Sequence, residues 1–252
     1  MGIYETIVLG IIQGITEFLP ISSSGHLVIA QDLLKIKSPG NTLEVLFHFG
    51  TLLSIIFIFF KDIKKIIISI NNKNNRSFVS YIIISTLPGA FAGLFFKDYI
   101  SKIFDNVNVV GLALCITGIL LVISKNFKNQ HKHFTLSSSI LIGITQAFAI
   151  IPGISRSGST IAVGMYLGIP PNEAARFSFI LSIPIILGAS ILGFLEIESG
   201  VLFNNSVIIV AILTSFITGV LALKILLRIL ETGKFHLFGV YCLCIGVFTM
   251  FI

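Results

Sequence analysis

Long runs of apolar residues dominate this chain and decide what it can fold into. Six of them are about as long as a membrane-spanning helix requires. They cover residues 43–60, 78–96, 107–124, 177–195, 206–223 and 235–252. Only 11% of the 252 residues are charged, whereas soluble domains carry about a quarter. A soluble protein with a very apolar core is the alternative, but so few charges cannot cover a soluble surface. The sequence therefore predicts an all-α polytopic membrane protein that forms one integral membrane domain over residues 1–252.

Two further apolar regions, residues 4–34 and 134–169, are interrupted near their middle by proline, serine and glycine. The interruptions read LPISSSGH (Leu19–His26) and IPGISRSG (Ile151–Gly158). The apolar segment after each interruption has only about 10 residues, which is too short to cross a bilayer. We therefore predict two re-entrant helical hairpins, tolerated at that depth only inside protein or beside a wet cavity. Alternatively, each region could form two short helices that both cross the membrane. Either arrangement returns the chain to the side from which it started, so loop charge cannot distinguish the two.

Basic residues are concentrated in three of the predicted loops. Segments 61–77, 125–133 and 224–234 carry an excess of Lys and Arg, whereas 97–106 and 196–205 are balanced or acidic. With six spans and two re-entrant hairpins, the positive-inside rule places all three basic loops in the cytoplasm and both termini outside. The net charge of +6 thus reflects membrane topology, and we expect no nucleic-acid partner.

The two interrupted regions resemble each other at a constant offset along the chain. Gln13 aligns with Gln146, the two SxSG breaks align with each other, and three spans follow each region. Because an odd number of spans reverses orientation, the pattern predicts an inverted-topology repeat of residues 1–124 and 134–252. Such repeats place their site near the bilayer midplane, where discontinuous helices meet. Chance similarity between two apolar segments is the alternative.

The two repeats differ in the ionisable groups that they bring to the predicted site. The first contributes Glu17 and His26, and the second contributes Arg156. An ionisable side chain at membrane depth is costly and indicates a functional role, although Glu17 and Arg156 could also simply pair with each other. The planar donor fork of arginine suits phosphate oxygens. A helix that begins at each break also directs its positive dipole end to the same place, so we predict an anion site, most naturally for phosphate.

The remaining polar residues near the breaks suggest chemistry as well as binding. Ser23 is a candidate nucleophile, with His26 as its general base or acid. Glu17 is suited to proton transfer or to holding Mg²⁺ or Ca²⁺ against phosphate, since these cations prefer oxygen ligands. The predicted catalytic residues are Glu17, Ser23, His26 and Arg156. The predicted substrate-binding residues are Gln13, Ser22, Ser155, Ser157 and Thr160.

The two breaks also carry a family resemblance. QGITEFLPISSSGH (Gln13–His26) and PGISRSGST (Pro152–Thr160) are similar to the two signatures of the undecaprenyl-diphosphatase family, also called bacitracin-resistance proteins. The resemblance covers essentially the whole chain, including HFGTLL (His48–Leu53). It implies a bacterial inner-membrane phosphatase that converts undecaprenyl diphosphate to undecaprenyl phosphate and inorganic phosphate. That reaction recycles the lipid carrier for peptidoglycan and cell-wall synthesis and confers bacitracin resistance.

The resemblance also carries expectations about architecture and site. It implies two re-entrant hairpins in inverted repeats, a site open to the outer face and dependence on a divalent cation. By motif position, the functional residues would be Glu17, Ser23, His26, Ser155, Arg156 and Thr160. The family's first motif begins with Glu or Gln, and Gln13 here argues against an acid, a base or a charged metal ligand at this position.

Three questions stay open at the level of sequence. A flippase of a lipid phosphate is the competing function, because inverted repeats with broken helices suit transport as well as hydrolysis. A purely structural membrane protein would leave Glu17 and Arg156 unexplained. The nucleophile can be Ser23, His26 or water, and a homodimer is one of several oligomeric states that the sequence allows.

Overall fold

The computed structural model describes residues 2–35, 42–96, 106–126, 132–195 and 204–251. In these ranges the chain forms helices joined by short connections and contains no strand. The all-α prediction is therefore confirmed. The helices are α1 (Ile3–Phe18), α2 (Ser23–Leu33), α3 (Thr42–Ile58), α4 (Phe60–Ile68), α5 (Lys73–Phe95), α6 (Val107–Ile123), α7 (Leu136–Phe148), α8 (Arg156–Tyr166), α9 (Pro171–Leu195), α10 (Asn205–Glu231) and α11 (Leu237–Thr249), with a 3₁₀ turn at Ser124–Asn126.

Several helices are long and apolar enough to cross a membrane. Within the described ranges these are α5, α9 and α10, and α3 with α4 makes a fourth if this pair, bent by 69°, is counted as one span. They coincide with four of the predicted spans. The runs predicted as spans at 107–124 and 235–252 form the shorter apolar helices α6 and α11, of 17 and 13 residues. The protein is therefore a helical membrane protein with several spans.

The outer surface of the helices carries many large apolar side chains, unlike the surface of a soluble protein. Large apolar side chains such as Phe57, Ile217 and Leu221 are exposed on the helices, whereas Gln13 and Gln146 are buried. Lipid solvates apolar side chains, while polar groups must find partners inside the protein. This arrangement is the one that a membrane imposes.

The predicted loop over residues 61–77 is largely helical. It contains most of α4 and the beginning of α5, because its lysines alternate with isoleucines at helical spacing and leave Ile66 buried. Segment 224–234 likewise begins inside α10. Most of the predicted loops 97–106, 125–133 and 196–205 lies outside the described residues.

Both interrupted regions form two helices with a break between them. In the first region α1 ends at Phe18 and α2 begins at Ser23. In the second, α7 ends at Phe148 and α8 begins at Arg156. Helices α2 and α8 have 11 residues each, too few to cross a bilayer. Around them, α1 packs on α10, α5 on α7, and α6 on α11.

Close packing of α1 on α10 depends on glycine. We expect Gly14→Ala to lower the melting temperature in detergent, because its Cβ would contact the Thr218 hydroxyl and lie 2.7 Å from the Ser215 carbonyl oxygen. Alanine favours an isolated helix by about 1 kcal/mol, while overpacking costs about 1–3 kcal/mol. Gly188→Ala is the control, since its Cβ would meet no described atom within 4 Å. Equal melting temperatures for the two variants would contradict close packing at Gly14.

Candidate active site

The two helix breaks lie against each other inside the protein. A Cβ added to Gly158 would lie 3.0 Å from the Cβ of Pro20, and one added to Gly25 would lie 3.3 Å from the Cα of Gly153. The helices that follow the breaks are capped in the same way. Ser22 accepts a hydrogen bond from the Gly25 N–H at 3.3 Å, and Ser155 accepts one from the Gly158 N–H at 3.1 Å. The breaks thus form two sides of one site, and two of its serines also act as helix caps.

Each break has one residue with left-handed backbone. In the first break this residue is Ser22, with φ of 68°, and its carbonyl oxygen accepts a hydrogen bond from the His26 ring at 2.9 Å. In the second it is Gly153, with φ of 96°, where a Cβ would lie 2.5 Å from the Val110 carbonyl oxygen. Glycine adopts this backbone without the steric cost that other residues carry, so the serine conformation depends on its surroundings.

Thr117 on α6 holds the second break in place. Its hydroxyl donates to the Gly153 carbonyl oxygen at 3.0 Å and accepts from the Ser155 N–H at 3.0 Å. These bonds satisfy two backbone groups that the broken helix leaves unpaired. Sequence reasoning did not find Thr117, because a single threonine in an apolar span is common and carries no motif.

A buried carboxylate joins the two breaks. Arg156 donates from Nη2 to Glu17 Oε1 at 2.6 Å, and the Ser23 hydroxyl donates to Glu17 Oε2 at 2.6 Å. Gln13 Nε2 also donates to Oε2, at 3.2 Å. The side chains of Glu17 and Arg156 are only 7% and 15% exposed. A pair this well shielded from solvent attracts strongly, but it also carries a large desolvation cost.

His48 on α3 is a further member of this cluster. Its Nδ1 lies 2.9 Å from Gln13 Nε2 and 3.8 Å from Glu17 Oε2. In the sequence His48 lies in the HFGTLL stretch, and no site role was predicted for it. The signal was nevertheless present, since an ionisable residue inside an apolar span indicates a functional position.

A polar cavity of about 340 Å³ opens between the breaks. Its polar lining consists of Thr16, Glu17, Ser22, Ser23, Ser24, His48, Gln146, Ser155, Arg156 and Ser157. A separate apolar groove of about 870 Å³ runs between α5 and α7. Ile150 lines both spaces, so the polar cavity and the apolar groove are neighbours.

Three of the predicted site residues, His26, Thr160 and Gln13, do not line this cavity. The His26 ring donates from Nδ1 to the Ser22 carbonyl oxygen, and its Nε2 accepts from the Tyr241 hydroxyl at 2.8 Å. Thr160 is buried and bonded to the Ser178 hydroxyl at 2.6 Å. Gln13 contacts the cluster from behind Glu17. The other six predicted residues lie together in the lining, and the chemical roles predicted for His26 and Thr160 stay predictions.

Several buried polar atoms of the cluster have no hydrogen-bond partner within the described parts of the chain. They are Arg156 Nη1, Gln13 Oε1 and Gln146 Oε1. An unpaired buried polar group costs about 1–3 kcal/mol. The Nη1 donors of Arg156 need an acceptor, and an anion in the cavity would supply it.

The residues present suit a divalent cation only with help from a ligand. No group of three or more His, Cys, Asp or Glu side chains that could hold a metal occurs in the described residues. Glu17 is the one carboxylate among the described lining residues, and both its oxygens accept hydrogen bonds. Mg²⁺ commonly uses one or two carboxylates together with substrate phosphates. The site fits that mode and not an all-protein cage.

The sequence is similar to one known protein family over almost its whole length. The sequence model of the family described as bacitracin resistance protein BacA matches residues 6–248, which include both breaks. Undecaprenyl-diphosphatase of Halothermothrix orenii is 40% identical over 252 residues, covering 98% of this chain and 96% of that protein. Undecaprenyl-diphosphatase of Desulforapulum autotrophicum is 38% identical over 270 residues, covering 99% and 98%. Undecaprenyl-diphosphatase of Korarchaeum cryptofilum is 39% identical over 259 residues, covering 98% of each. The match extends over nearly the whole chain and over the residues that build the cavity, and the chain therefore belongs to the BacA family of bacitracin-resistance proteins.

Proposed function

We propose that this protein hydrolyses undecaprenyl diphosphate to undecaprenyl phosphate and inorganic phosphate. The observation that carries the proposal is the cluster in which Ser23 donates to Glu17 at 2.6 Å beside an arginine with an unpaired donor. A binding site for an anion needs the arginine, but it does not need a hydroxyl held on a carboxylate. The relatives named undecaprenyl-diphosphatase support the same reaction.

Arg156 and the two helix N-termini would bind the diphosphate. Nη2 of Arg156 is engaged by Glu17, while Nη1 has no partner among the described residues and would bind a phosphate oxygen. Helices α2 and α8 begin beside the cavity at Ser23 and Arg156, so their positive dipole ends add to the attraction. These groups also stabilise the negative charge that develops during phosphoryl transfer.

The apolar groove between α5 and α7 would receive the polyprenyl chain. It is lined almost entirely by apolar residues such as Leu87, Phe91 and Phe148, and it meets the polar cavity at Ile150. A lipid with a charged head and a long hydrocarbon tail matches this division. The tail stays in an apolar environment while the head enters the cavity.

Ser23 would act as the nucleophile. As its oxygen attacks the terminal phosphorus, the hydroxyl proton passes to Glu17 and the bond to the bridging oxygen breaks, which releases undecaprenyl phosphate. Water then hydrolyses the phosphoserine and releases inorganic phosphate. Direct attack by water oriented by Glu17 is the alternative. His26 would contribute as a positioning residue, since it binds the carbonyl oxygen next to Ser23.

A divalent cation, Mg²⁺ or Ca²⁺, is part of the proposal. Glu17 would hold it together with phosphate oxygens of the substrate. When bound, the cation would neutralise phosphate charge.

In the membrane, we propose six spans and two re-entrant hairpins arranged as inverted repeats over residues 1–124 and 134–252. The equal lengths of α2 and α8, and the packing of α1 on α10 and of α5 on α7, support this arrangement. The protein would lie in the bacterial inner membrane with its site open to the outer face. There it would recycle the carrier for cell-wall synthesis and confer bacitracin resistance.

Phosphate release by purified protein tests the function. With Mg²⁺ or Ca²⁺ present, we expect wild type to release phosphate from undecaprenyl diphosphate. We expect Ser23→Ala to be slower by about 10²–10³-fold, the size of a positioned catalytic group. Ser80→Ala, on α5 and bonded to the Ser77 carbonyl oxygen, is the matched control. Wild type that binds the lipid but releases no phosphate would favour the lipid-phosphate flippase instead.

A search for a phosphorylated protein separates the two nucleophiles. Rapid quenching of wild type with substrate labelled in the terminal phosphate should trap label on Ser23. Full turnover by Ser23→Ala, with no labelled wild type, would assign the attack to water.

A further inference from the structure

His48 lines the polar cavity, yet the proposed reaction gives it no role. It extends from α3, which contributes neither helix break. Its side chain is 37% exposed, and it contacts the cluster through Nδ1. A side chain that reaches both the catalytic carboxylate and the cavity is positioned to contact the substrate.

Gln13 determines which ring nitrogen of His48 carries the proton. Nδ1 of His48 lies 2.9 Å from Gln13 Nε2, which is an amide nitrogen with donors and no acceptor. The same amide donates to Glu17 at 3.2 Å, and this second bond fixes its orientation, because the opposite orientation would set the amide oxygen against the carboxylate. Nδ1 must therefore accept, and the neutral ring carries its hydrogen on Nε2.

We infer that His48 is a substrate-binding residue that donates its Nε2–H to a phosphate oxygen, and that Gln13 fixes the tautomer that makes this possible. The inference rests on the proposed function, since it assigns the ligand of the same cavity. A general base would need a free lone pair in the cavity, whereas Gln13 occupies the lone pair of His48. His48 and Arg156 thus offer donors from two different helices to one diphosphate.

Binding of a non-hydrolysable probe tests the role of His48. The probe is a farnesyl methylene-diphosphonate, which retains the charged head and an apolar tail. We expect His48→Phe to raise its Kd about tenfold, as for the loss of a hydrogen bond to a charged group. His48→Gln keeps an N–H donor and should stay within about threefold of wild type. His236→Phe is the matched control, because in the described part of the chain that histidine bonds to the nearby Gly233 carbonyl oxygen and to no other group. A Kd for His48→Phe equal to that of the control would overturn the inference.

The position of the proton on the His48 ring can be measured directly, and a purely structural role for Gln13 would not change it. In protein with ¹⁵N-labelled histidine, the His48 signals should show a protonated Nε2 and an unprotonated Nδ1. Gln13→Leu should lose this preference and raise the probe Kd, and adding His48→Phe should raise it little further, because the two residues act as one unit. A proton on Nδ1 in wild type, or losses that multiply in the double variant, would overturn the inference.

The proposed function and this inference fail in different ways. Wild type that releases no phosphate from undecaprenyl diphosphate contradicts the function. Wild type that turns over normally while His48→Phe binds the probe like wild type contradicts the inference alone. A His48→Gln variant that binds normally but has lost turnover would also overturn it, because that pattern is expected of a general base.

Discussion

Replacing Arg156 by lysine is expected to lower kcat/KM for undecaprenyl diphosphate by about 100-fold, the loss expected for one or two charged hydrogen bonds. Arg156 uses Nη2 for Glu17 at 2.6 Å, and no described residue pairs with its Nη1, so one planar group can hold the carboxylate and a phosphate together. A lysine ammonium is a point charge on a flexible stem and cannot reproduce that fork. Steady-state phosphate release checks the prediction.

Arg176→Lys is the matched control for this change. Arg176 forms an ion pair with Asp62 at 2.8 Å, and it does not line the polar cavity. The same substitution there should leave turnover within about twofold, since partly exposed pairs contribute little. Turnover of Arg156→Lys close to that of Arg176→Lys would show that the guanidinium fork is not used.

Glu17→Gln is expected to abolish measurable turnover, a loss of about 10³-fold or more, while the protein stays folded. An amide has one acceptor oxygen, so it cannot accept from Arg156 and Ser23 in the geometry seen here, at 2.6 Å each. It also cannot take the Ser23 proton. Gln retains an oxygen for Arg156, which limits the destabilisation that leaving an unpaired buried charge would cause.

Melting temperature and phosphate release should be measured on the same preparation of Glu17→Gln. Asp62→Asn, which also removes a carboxylate that pairs with an arginine, should retain both properties. A folded Glu17→Gln protein with intact catalysis would remove this carboxylate from the mechanism. An unfolded one would show instead that the pair with Arg156 is needed for the fold.

Much of this arrangement could be predicted because it follows from local chemistry. Proline, glycine and serine interrupt helices wherever they cluster, so the breaks before Ser23 and Arg156 were visible in the sequence. A buried carboxylate and a buried guanidinium avoid a large cost by meeting, so a contact of Glu17 with Arg156 was weighed as the alternative to an anion site. Neither inference needed knowledge of how distant helices pack.

The contacts that sequence reasoning missed are those that packing decides. His48 and Thr117 reach the site from α3 and α6, and neither lies within the motifs of the two breaks. The His26 ring is bonded to Tyr241, which lies 215 residues further along the chain. A motif places a residue at the start of a helix, but only the neighbouring helix determines which way its side chain turns.

Adjacent polar and apolar spaces have a consequence for turnover. Among the described residues, the polar cavity and the groove between α5 and α7 share one wall residue, Ile150. In the proposed reaction one product is a lipid and the other a small, strongly hydrated ion. The lipid can leave sideways into the bilayer while the ion leaves towards water, so the two products partition between different solvents by separate exits. The low solubility of each product in the opposite phase opposes its return along the other route.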